Sequence, residues 1–316
     1  MTPKNGASRH FRIQKISQGV WSTRMVDGGW HICNSSIIDL GEETLVMDTG
    51  LCPQSGRDLK NAAIRLTGRK PRYVVNSHWH VDHVRGNQVF REASILSSSE
   101  TRKMLITKGK ENAELVYANA KNQIDIIRRL LANGTKSERM FARTGIGYYQ
   151  GILQGHPVLQ ITPPDVTFEG DATLHGRDIT VELKQFKNAH SESDIVLFLP
   201  DEKTLFCGDL CYIGWHPCID MGDVANLINV LDELMKLGPN IVVPAHGPPG
   251  SVKHLEMMKE YIQTLMELVK KVVNNGGSSE DAAAIPVPHQ YRKLKLKEFF
   301  YQRSLRYLYK ILQPST

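Results

Sequence analysis

The segment YVVNSHWHVDH, residues 73–83, joins a short apolar run to a dense group of polar side chains. A bounded run such as Tyr73–Val75 is typical of a buried strand. Four side chains with metal-binding atoms follow it closely: His78, His80, Asp82 and His83. Imidazole nitrogen and carboxylate oxygen are the ligands that zinc and similar divalent ions prefer, and a bend after a strand can turn alternate residues toward one point. The segment therefore predicts a metal site at the end of a strand.

A purely structural explanation of this cluster is unfavourable. Chance would produce the pattern HxHxDH in roughly one of a thousand chains of this length. Four adjacent polar or charged groups that were buried without a metal would also carry a heavy desolvation cost. We therefore interpret the cluster as a site for metal chemistry.

The chain around this segment divides into β-rich and helical stretches. Residues 11–77 contain the short apolar runs and turns that are typical of strands. Residues 98–133 have the apolar spacing of helices, and Gly134 is a suitable helix stop. The glycine-rich segment RTGIGYYQG, residues 143–151, is predicted to be a mobile loop that could cover a pocket, with an ordinary surface connection as the alternative.

The second half of the chain returns to strands before it ends in helices. Four apolar runs between Val166 and Tyr212, beginning with VTFEG, predict a second sheet. Asp223 can cap the helix that follows, and Gly238 can close it. This order predicts two sheets packed face to face with helices outside.

The composition supports one large globular domain. Of the 316 residues, 41% are hydrophobic and 23% are charged, which is enough for a sizeable core and unlike a disordered or fibrous chain. We expect a single domain over residues 1–316, with a helical insertion at about 98–155 and a helical C-terminal extension at about 278–316. The insertion is expected to shape the pocket.

The sequence also bears on location and redox state. The first residues are polar, and no run of about 18 apolar residues suggests a membrane span, so we expect a cytoplasmic protein. An odd number of cysteines spread over a long chain favours reduced thiols over a disulfide framework. These cysteines are Cys33, Cys52, Cys207, Cys211 and Cys218. The last three lack the spacing of a thiolate metal cluster.

The net charge of +6 is a weak indication of anionic partners, because a sum does not locate the charge. Part of it lies between Tyr291 and Lys310, where seven basic residues accompany a single acid, Glu298. We interpret this stretch as the solvated face of a terminal helix whose apolar side packs inward.

Four further motifs, one before the HWHVDH segment and three after it, make the chain resemble the metallo-β-lactamase superfamily between about Gly19 and Gly250. These motifs are Asp48 in VMDTG, His190 in NAHSESD, Asp209 in FCGDL and His246 in VPAHGP, and they occur in the expected order. The resemblance implies an α/β fold of the αββα sandwich type, with two mixed β-sheets and outer helices.

The resemblance also implies a dinuclear site. One metal would be held by His78, His80 and His190. The second would be held by Asp82, His83 and His246. Asp209 would bridge the two, and Asp48 would orient a ligand imidazole rather than bind metal itself. We expect two zinc ions per chain, with iron or manganese as alternatives.

Two cations that share one water lower its pKa toward neutrality, which would produce a bridging hydroxide able to attack a carbonyl carbon or phosphorus. We assign catalytic roles to Asp82, as a ligand at this centre, and to Tyr212, whose hydroxyl could donate to a developing oxyanion or leaving group. A tyrosine three residues after Asp209 is similar to the N-acyl homoserine lactonases of the superfamily. The alternative for Tyr212 is a packed aromatic residue.

The first hypothesis for the reaction is hydrolysis of an ester, lactone, thioester or amide bond of a small molecule. One group of β-lactamases has a cysteine where this chain has Asp209, and glyoxalase II has a basic segment that GWHPCID, residues 214–220, does not match. Of the remaining histidines, only His216 in that segment is kept as a substrate contact.

Two other reactions remain open. One is phosphodiester cleavage of nucleic acid, although no interleaving of aromatic and basic residues supports it. The other is a mononuclear iron dioxygenase acting on persulfides, which would use only His78, His190 and Asp209. We also leave a homodimer open.

Overall fold

The computed structural model describes residues 8–313. It contains two β-sheets, and the first has seven strands that lie side by side in chain order. Its strands are β1 (Phe11–Ser17), β2 (Val20–Met25), β3 (Ser36–Asp39), β4 (Thr44–Met47), β5 (Tyr73–Val75), β6 (Ser94–Ser98) and β7 (Val166–Phe168). Strands β1 to β4 are antiparallel, whereas β4 to β7 are parallel.

The second sheet has five strands in the order β12-β11-β10-β9-β8. Its strands are β8 (Ala172–His175), β9 (Thr180–Lys187), β10 (Ser193–Leu199), β11 (Thr204–Phe206) and β12 (Ile241–Val243). Strands β8 to β11 are antiparallel, and β12 runs parallel to β11. Both sheets are therefore mixed, which confirms the predicted α/β sandwich.

One strand lies in a different sheet from the one that its sequence suggested. Val166–Phe168 does not begin the second sheet, because it pairs with β6 at the edge of the first sheet, with Val166 opposite Leu96. A short apolar run specifies a strand but not its partner, and only the long-range pairing decides the sheet.

Nine α-helices accompany these strands within the described residues. They are α1 (Pro53–Thr67), α2 (Val81–Val84), α3 (Ser99–Thr107), α4 (Gly109–Asn133), α5 (Lys136–Gly155), α6 (Val224–Lys236), α7 (Val252–Asn274), α8 (Ser279–Ala283) and α9 (Lys297–Leu312). In α4 and in α6, one helix boundary predicted from the sequence is confirmed. Asp223 accepts hydrogen bonds from the first turn of α6, and α4 ends just before Gly134.

The main core lies between the two sheets, where apolar side chains of both are fully buried, for example Ile38 and Leu197. Helix α1 covers the outer face of the first sheet through Leu59 and its neighbours. Helices α6, α7 and α9 cover the outer face of the second sheet. The result is a four-layer arrangement of helix, sheet, sheet and helix, as two amphipathic sheets require.

Helices α4 and α5 form an antiparallel pair that we call the helical arm, and α5 corrects one prediction. Residues 143–151 are not a mobile loop, because they lie within α5, which begins at a capping box formed by Thr135 and Glu138. Two of the glycines instead allow α5 to pack closely against the N-terminal part of the chain. A Cβ at Gly147 would lie 2.1 Å from the carbonyl oxygen of Gly29.

Two further observations concern location and redox state. Among residues 8–313, no helix combines the length and the apolar character that a membrane span requires. All five cysteines are buried as free thiols.

Candidate metal centre

Seven candidate ligands meet at one edge of the sandwich because the strands that precede or flank them end there. The two sheets contribute them as follows: His78 and His80 from the loop after β5, Asp82 and His83 from α2, His190 from the turn between β9 and β10, Asp209 from the segment after β11, and His246 from the segment after β12. Strands β11 and β12 are parallel, so their carboxyl ends lie side by side.

The first group of donor atoms comprises His78, His80, His190 and Asp209, whose atoms all lie within 4.8 Å of one another. His78 Nε2 is 2.9 Å from His80 Nδ1, and His190 Nε2 is 3.1 Å from the same Nδ1 atom. His190 Nε2 also lies 3.3 Å from Asp209 Oδ2. Three ring nitrogens and one carboxylate oxygen that converge in this way could hold one divalent cation.

The second group comprises Asp82, His83 and His246. His246 Nε2 lies 3.4 Å from Asp82 Oδ2, and His83 Nε2 lies 3.7 Å from it. Asp209 reaches this group as well, since its Oδ1 atom is 3.4 Å from His83 Nε2 and 3.3 Å from His246 Nε2. Asp209 therefore presents one oxygen to each group, as a bridging carboxylate would.

Two of the atoms that converge in these groups lack a hydrogen-bond partner within the described part of the chain, as do the Nδ1 atoms of His190 and His246 on the other side of their rings. His83 Nε2 and Asp209 Oδ1 are buried without a hydrogen-bond partner among residues 8–313. A buried polar atom left in this condition costs about 1–3 kcal/mol, so native proteins rarely retain one without a reason. A cation placed between these atoms would satisfy both, and the donor set consequently fits a pair of divalent metals.

Asp48 lies behind the second group. Its carboxylate accepts hydrogen bonds from the backbone N–H and the hydroxyl of Ser77, each at 2.8 Å, and its Oδ2 atom lies 2.8 Å from His83 Nδ1. When Nδ1–H of His83 donates to this carboxylate, the opposite nitrogen, Nε2, keeps its lone pair directed at the second group. Asp48 is thus located where it can orient a ligand imidazole.

The electrostatics of the site favour the metal-binding forms of three candidate ligands, His78, His80 and Asp209, and the protonated form of His83. Burial lowers the pKa of His78 and of His80 well below 6.5, which keeps these imidazoles neutral. Burial alone would raise the pKa of Asp209, but His246, His83 and His190 outweigh it and hold that pKa well below 3.8. Burial likewise opposes the charged form of His83, yet the surrounding carboxylates, Asp48 first, raise its pKa well above 6.5.

A cavity of about 350 Å³ opens onto the two groups. The helical arm contributes Phe141 and Tyr148, helix α9 contributes Phe299 and Phe300, and Trp79 and Trp215 complete the aromatic lining. A mostly apolar wall with a few convergent polar groups is typical of a small-molecule site.

Tyr212 is both packed and directed at the centre. Its hydroxyl donates to Asp209 Oδ2 at 2.6 Å, and its ring stacks on that of His246 with centroids 5.1 Å apart. Burial, reinforced by the Asp209 carboxylate, raises the pKa of Tyr212 well above 10, so the hydroxyl stays protonated. The side chain also lines the cavity.

His216 does not line the cavity, contrary to the sequence-based expectation that it contacts substrate. Its side chain is fully buried, its Nδ1 atom lies 2.8 Å from the Tyr261 hydroxyl, and burial lowers its pKa to about 4. The neighbouring Trp215 faces the cavity instead and stacks on His246 at 5.3 Å. Alternation along an extended segment directs adjacent side chains in opposite directions, and the sequence does not say which one faces inward.

Sequence analysis also missed Arg303. The basic stretch was interpreted as a solvated face, and this holds for Arg306, which pairs with Glu280 at the surface. Arg303, however, lines the cavity beside Phe299 and Phe300. The spacing of three and four residues between these aromatic residues and Arg303 places all three on one face of a helix, and this was the available signal.

Comparison with known proteins gives a consistent result. Residues 28–246 match the family described as the metallo-beta-lactamase superfamily. A linear primary-alkylsulfatase of Pseudomonas sp. (strain ATCC 19151) is 22% identical over 262 residues, which cover 76% of this chain and 47% of the relative. The chain therefore spans about half the length of that relative.

Solved structures show the same fold. A metallo-beta-lactamase from Pontibacter korlensis matches with a TM-score of 0.58 and 18% identity, over 80% of this chain and 99% of the other. TMB-1 matches with a TM-score of 0.58 and 15% identity, over 81% of this chain and 99% of the other. At these identities the likeness concerns the fold alone.

Proposed function

Because the chain belongs to the metallo-beta-lactamase superfamily, we propose that it is a metallohydrolase. In this proposal it holds two divalent cations, zinc as the first choice, and hydrolyses an ester or related acyl bond of a small molecule. The observation that carries this proposal is the position of Asp209. Its Oδ2 atom lies 3.3 Å from a nitrogen of the first group, and its Oδ1 atom lies 3.3 Å from a nitrogen of the second. A mononuclear enzyme would not need this arrangement.

A bound pair of divalent cations supplies a Lewis acid and a water molecule of lowered pKa. The residues of the chain hold and orient that chemistry. His78, His80 and His190 would hold the first cation. Asp82, His83 and His246 would hold the second, and Asp209 would join the two. Asp48 would keep His83 in the tautomer that directs Nε2 inward.

Tyr212 is the proposed donor. Its protonated hydroxyl lies at the junction of Asp209 and the cavity, where its single proton could turn from Asp209 Oδ2 to the oxyanion or to the departing oxygen, sulfur or nitrogen atom. The aromatic walls would exclude water from the bond being cleaved, which strengthens each polar contact there.

A second candidate function is hydrolysis of a sulfate ester. The specific observation in its favour is the similarity to a linear primary-alkylsulfatase, together with a cavity whose walls are mainly aromatic and apolar. Carboxylic and sulfate esters of a linear alcohol share the apolar chain and differ at the atom that is attacked. The same cavity could therefore accept either one.

Metal content and a substrate panel test the proposal. We expect about two equivalents of divalent metal per chain, together with hydrolysis of p-nitrophenyl octanoate, octanoyl thioesters, an octanoyl homoserine lactone or octyl sulfate. Asp209→Asn should lower both metal content and turnover. One equivalent of iron with persulfide-dependent oxygen uptake would contradict the proposal, as would activity confined to bis(p-nitrophenyl) phosphate.

A further inference from the structure

Arg303 is the only lysine or arginine side chain that lines the cavity among residues 8–313. It belongs to helix α9 and lines the same cavity as His80 and Tyr148. Its side chain is 40% exposed and forms an ion pair with Asp220, so its charge needs no ligand to offset a cost of burial. The atoms that contact the guanidinium show which of its donors remain free to bind a ligand.

The guanidinium is held in one orientation. Its Nε and Nη2 atoms both donate to the carboxylate of Asp220, the latter at 2.8 Å, and Nη2 also contacts the sulfur of Cys218 at 3.4 Å. Its central carbon lies 6.0 Å from the Phe299 ring centroid and 5.8 Å from that of Phe300. A planar group fixed by a carboxylate and two rings loses little further entropy on binding a ligand.

One nitrogen of the guanidinium, Nη1, makes no hydrogen bond to the described part of the protein. Since Asp220 already occupies Nε and Nη2, and Arg303 lines the cavity, the donors on Nη1 are those that remain for a ligand. Such a donor prefers an anionic oxygen, with which it forms a charge-assisted hydrogen bond.

Away from Arg303, the wall of the cavity is mainly apolar. Its walls bring together Val116 and Phe141 from the helical arm and Leu296 and Phe299 from the C-terminal part of the chain. An apolar chain placed against them would be removed from water, which favours binding in proportion to the apolar surface buried. The cavity thus combines one fixed cation with an extended apolar wall.

We infer that Arg303 determines specificity by binding an anionic group through Nη1, so that the preferred substrates are linear anionic amphiphiles, with an apolar chain along the helical arm and a negative group beside the metal centre. The inference rests on the proposed function and names its substrate class. Sulfate and carboxylate groups share the required chemistry.

Calorimetric titration of the zinc-loaded full-length protein tests the inference without turnover. The probes are octane-1-sulfonate, octanoate and octan-1-ol. We expect Arg303→Met to weaken sulfonate or octanoate binding about tenfold or more while octanol affinity changes by less than about twofold. Arg303→Lys should recover only part of the loss, because an ammonium lacks the planar fork. Stronger weakening of one probe identifies the headgroup.

Two matched variants separate recognition from packing. Arg306→Met removes a neighbouring surface cation on the same helix and should leave all three affinities unchanged. Asp220→Asn disrupts the same ion pair as Arg303→Met but keeps the guanidinium, so sulfonate affinity should be retained or increased. Equal loss in Asp220→Asn and Arg303→Met, or unchanged sulfonate affinity in Arg303→Met, would overturn the inference.

The two proposals can fail separately. A wild-type protein that binds octane-1-sulfonate in an Arg303-dependent manner, yet hydrolyses no ester, would refute the proposed function alone. Ester hydrolysis accompanied by equal sulfonate affinity in wild type and Arg303→Met would refute the assignment of Arg303 alone.

Discussion

Among single residues, Tyr212 offers the sharpest test of the proposed chemistry. Its hydroxyl donates to Asp209 but is not one of the seven candidate ligands. We expect Tyr212→Phe to lower kcat about 100-fold while metal content stays the same, because a donor near the reacting bond is lost and no ligand is. Steady-state kinetics and metal analysis of the same preparation measure both quantities.

The control is Tyr309→Phe, which removes a hydroxyl that donates to the carbonyl of Gly277 at 2.7 Å, away from the cavity. It should leave kcat unchanged. If Tyr212→Phe also keeps the wild-type kcat, Tyr212 is a packed aromatic residue and the role assigned to its hydroxyl is wrong.

His216 provides a second prediction at this scale, on acid stability. Its pKa is about 4 in the folded protein against 6.5 in the unfolded chain, so between these values the unfolded state binds more protons. This contribution to stability is present above pH 6.5 and is lost as pH falls. In metal-free protein, the free energy of unfolding of His216→Gln should therefore fall by about 1.5 kcal/mol less than that of wild type between pH 6.5 and pH 5.

Urea denaturation at the two pH values measures this difference. His175→Gln is the control, since that side chain is exposed on β8 and should follow the wild-type pH dependence. Parallel loss of stability in wild type and His216→Gln would mean that His216 titrates normally in the folded protein.

At the scale of elements, the close approach of α5 to the N-terminal part of the chain predicts a structural effect. A Cβ at Gly147 would meet the Gly29 carbonyl oxygen at 2.1 Å, so the helix would have to move. We expect Gly147→Ala to lower the free energy of unfolding by about 1–3 kcal/mol and to weaken substrate binding, because α5 forms one wall of the cavity.

Gly145→Ala is the matched control on the same helix. There the nearest atom is Ile127 Cδ1 at 3.2 Å, the end of a flexible side chain, and alanine is the better helix former. Thermal denaturation should show the smaller effect for Gly145→Ala. Equal stability of Gly147→Ala and wild type would contradict the packing role of Gly147.

These elements also show why the sequence was informative in some places and not in others. The HWHVDH segment could be interpreted because four of the candidate ligands are neighbours in the chain, so that spacing alone brings them together. Gly145 and Gly147 were misinterpreted because glycine composition is the same for a flexible loop and for a closely packed helix. Arg303 was missed because the side of a terminal helix that faces a cavity depends on contacts with residues far away in the chain.

At the scale of the whole molecule, the cavity is closed by two elements that lie more than a hundred residues apart. The Phe141 ring of the helical arm stacks on Phe299 of α9, with centroids 6.0 Å apart, and the Ser137 hydroxyl donates to Glu298 at 2.6 Å. Residues 28–246 match the family, so α9 lies outside the matched region. We propose that the contact between the arm and α9 sets the substrate range on a shared catalytic centre.

The candidate metal centre joins the two sheets, and this predicts how the whole chain responds to chelation. His78 follows a strand of the first sheet, whereas His190 and Asp209 follow strands of the second, so a cation held by all three ties the sheets together. Binding at about a thousand times Kd would stabilise the native state by about 4 kcal/mol, so removing metal should lower Tm by on the order of 10 °C. Differential scanning calorimetry with and without a chelator measures the shift.

His190→Ala should melt near the chelated wild type and respond little to further chelator, whereas His175→Ala should behave as wild type does. A wild-type Tm that is indifferent to chelation would show that the seven side chains do not hold metal in the folded protein.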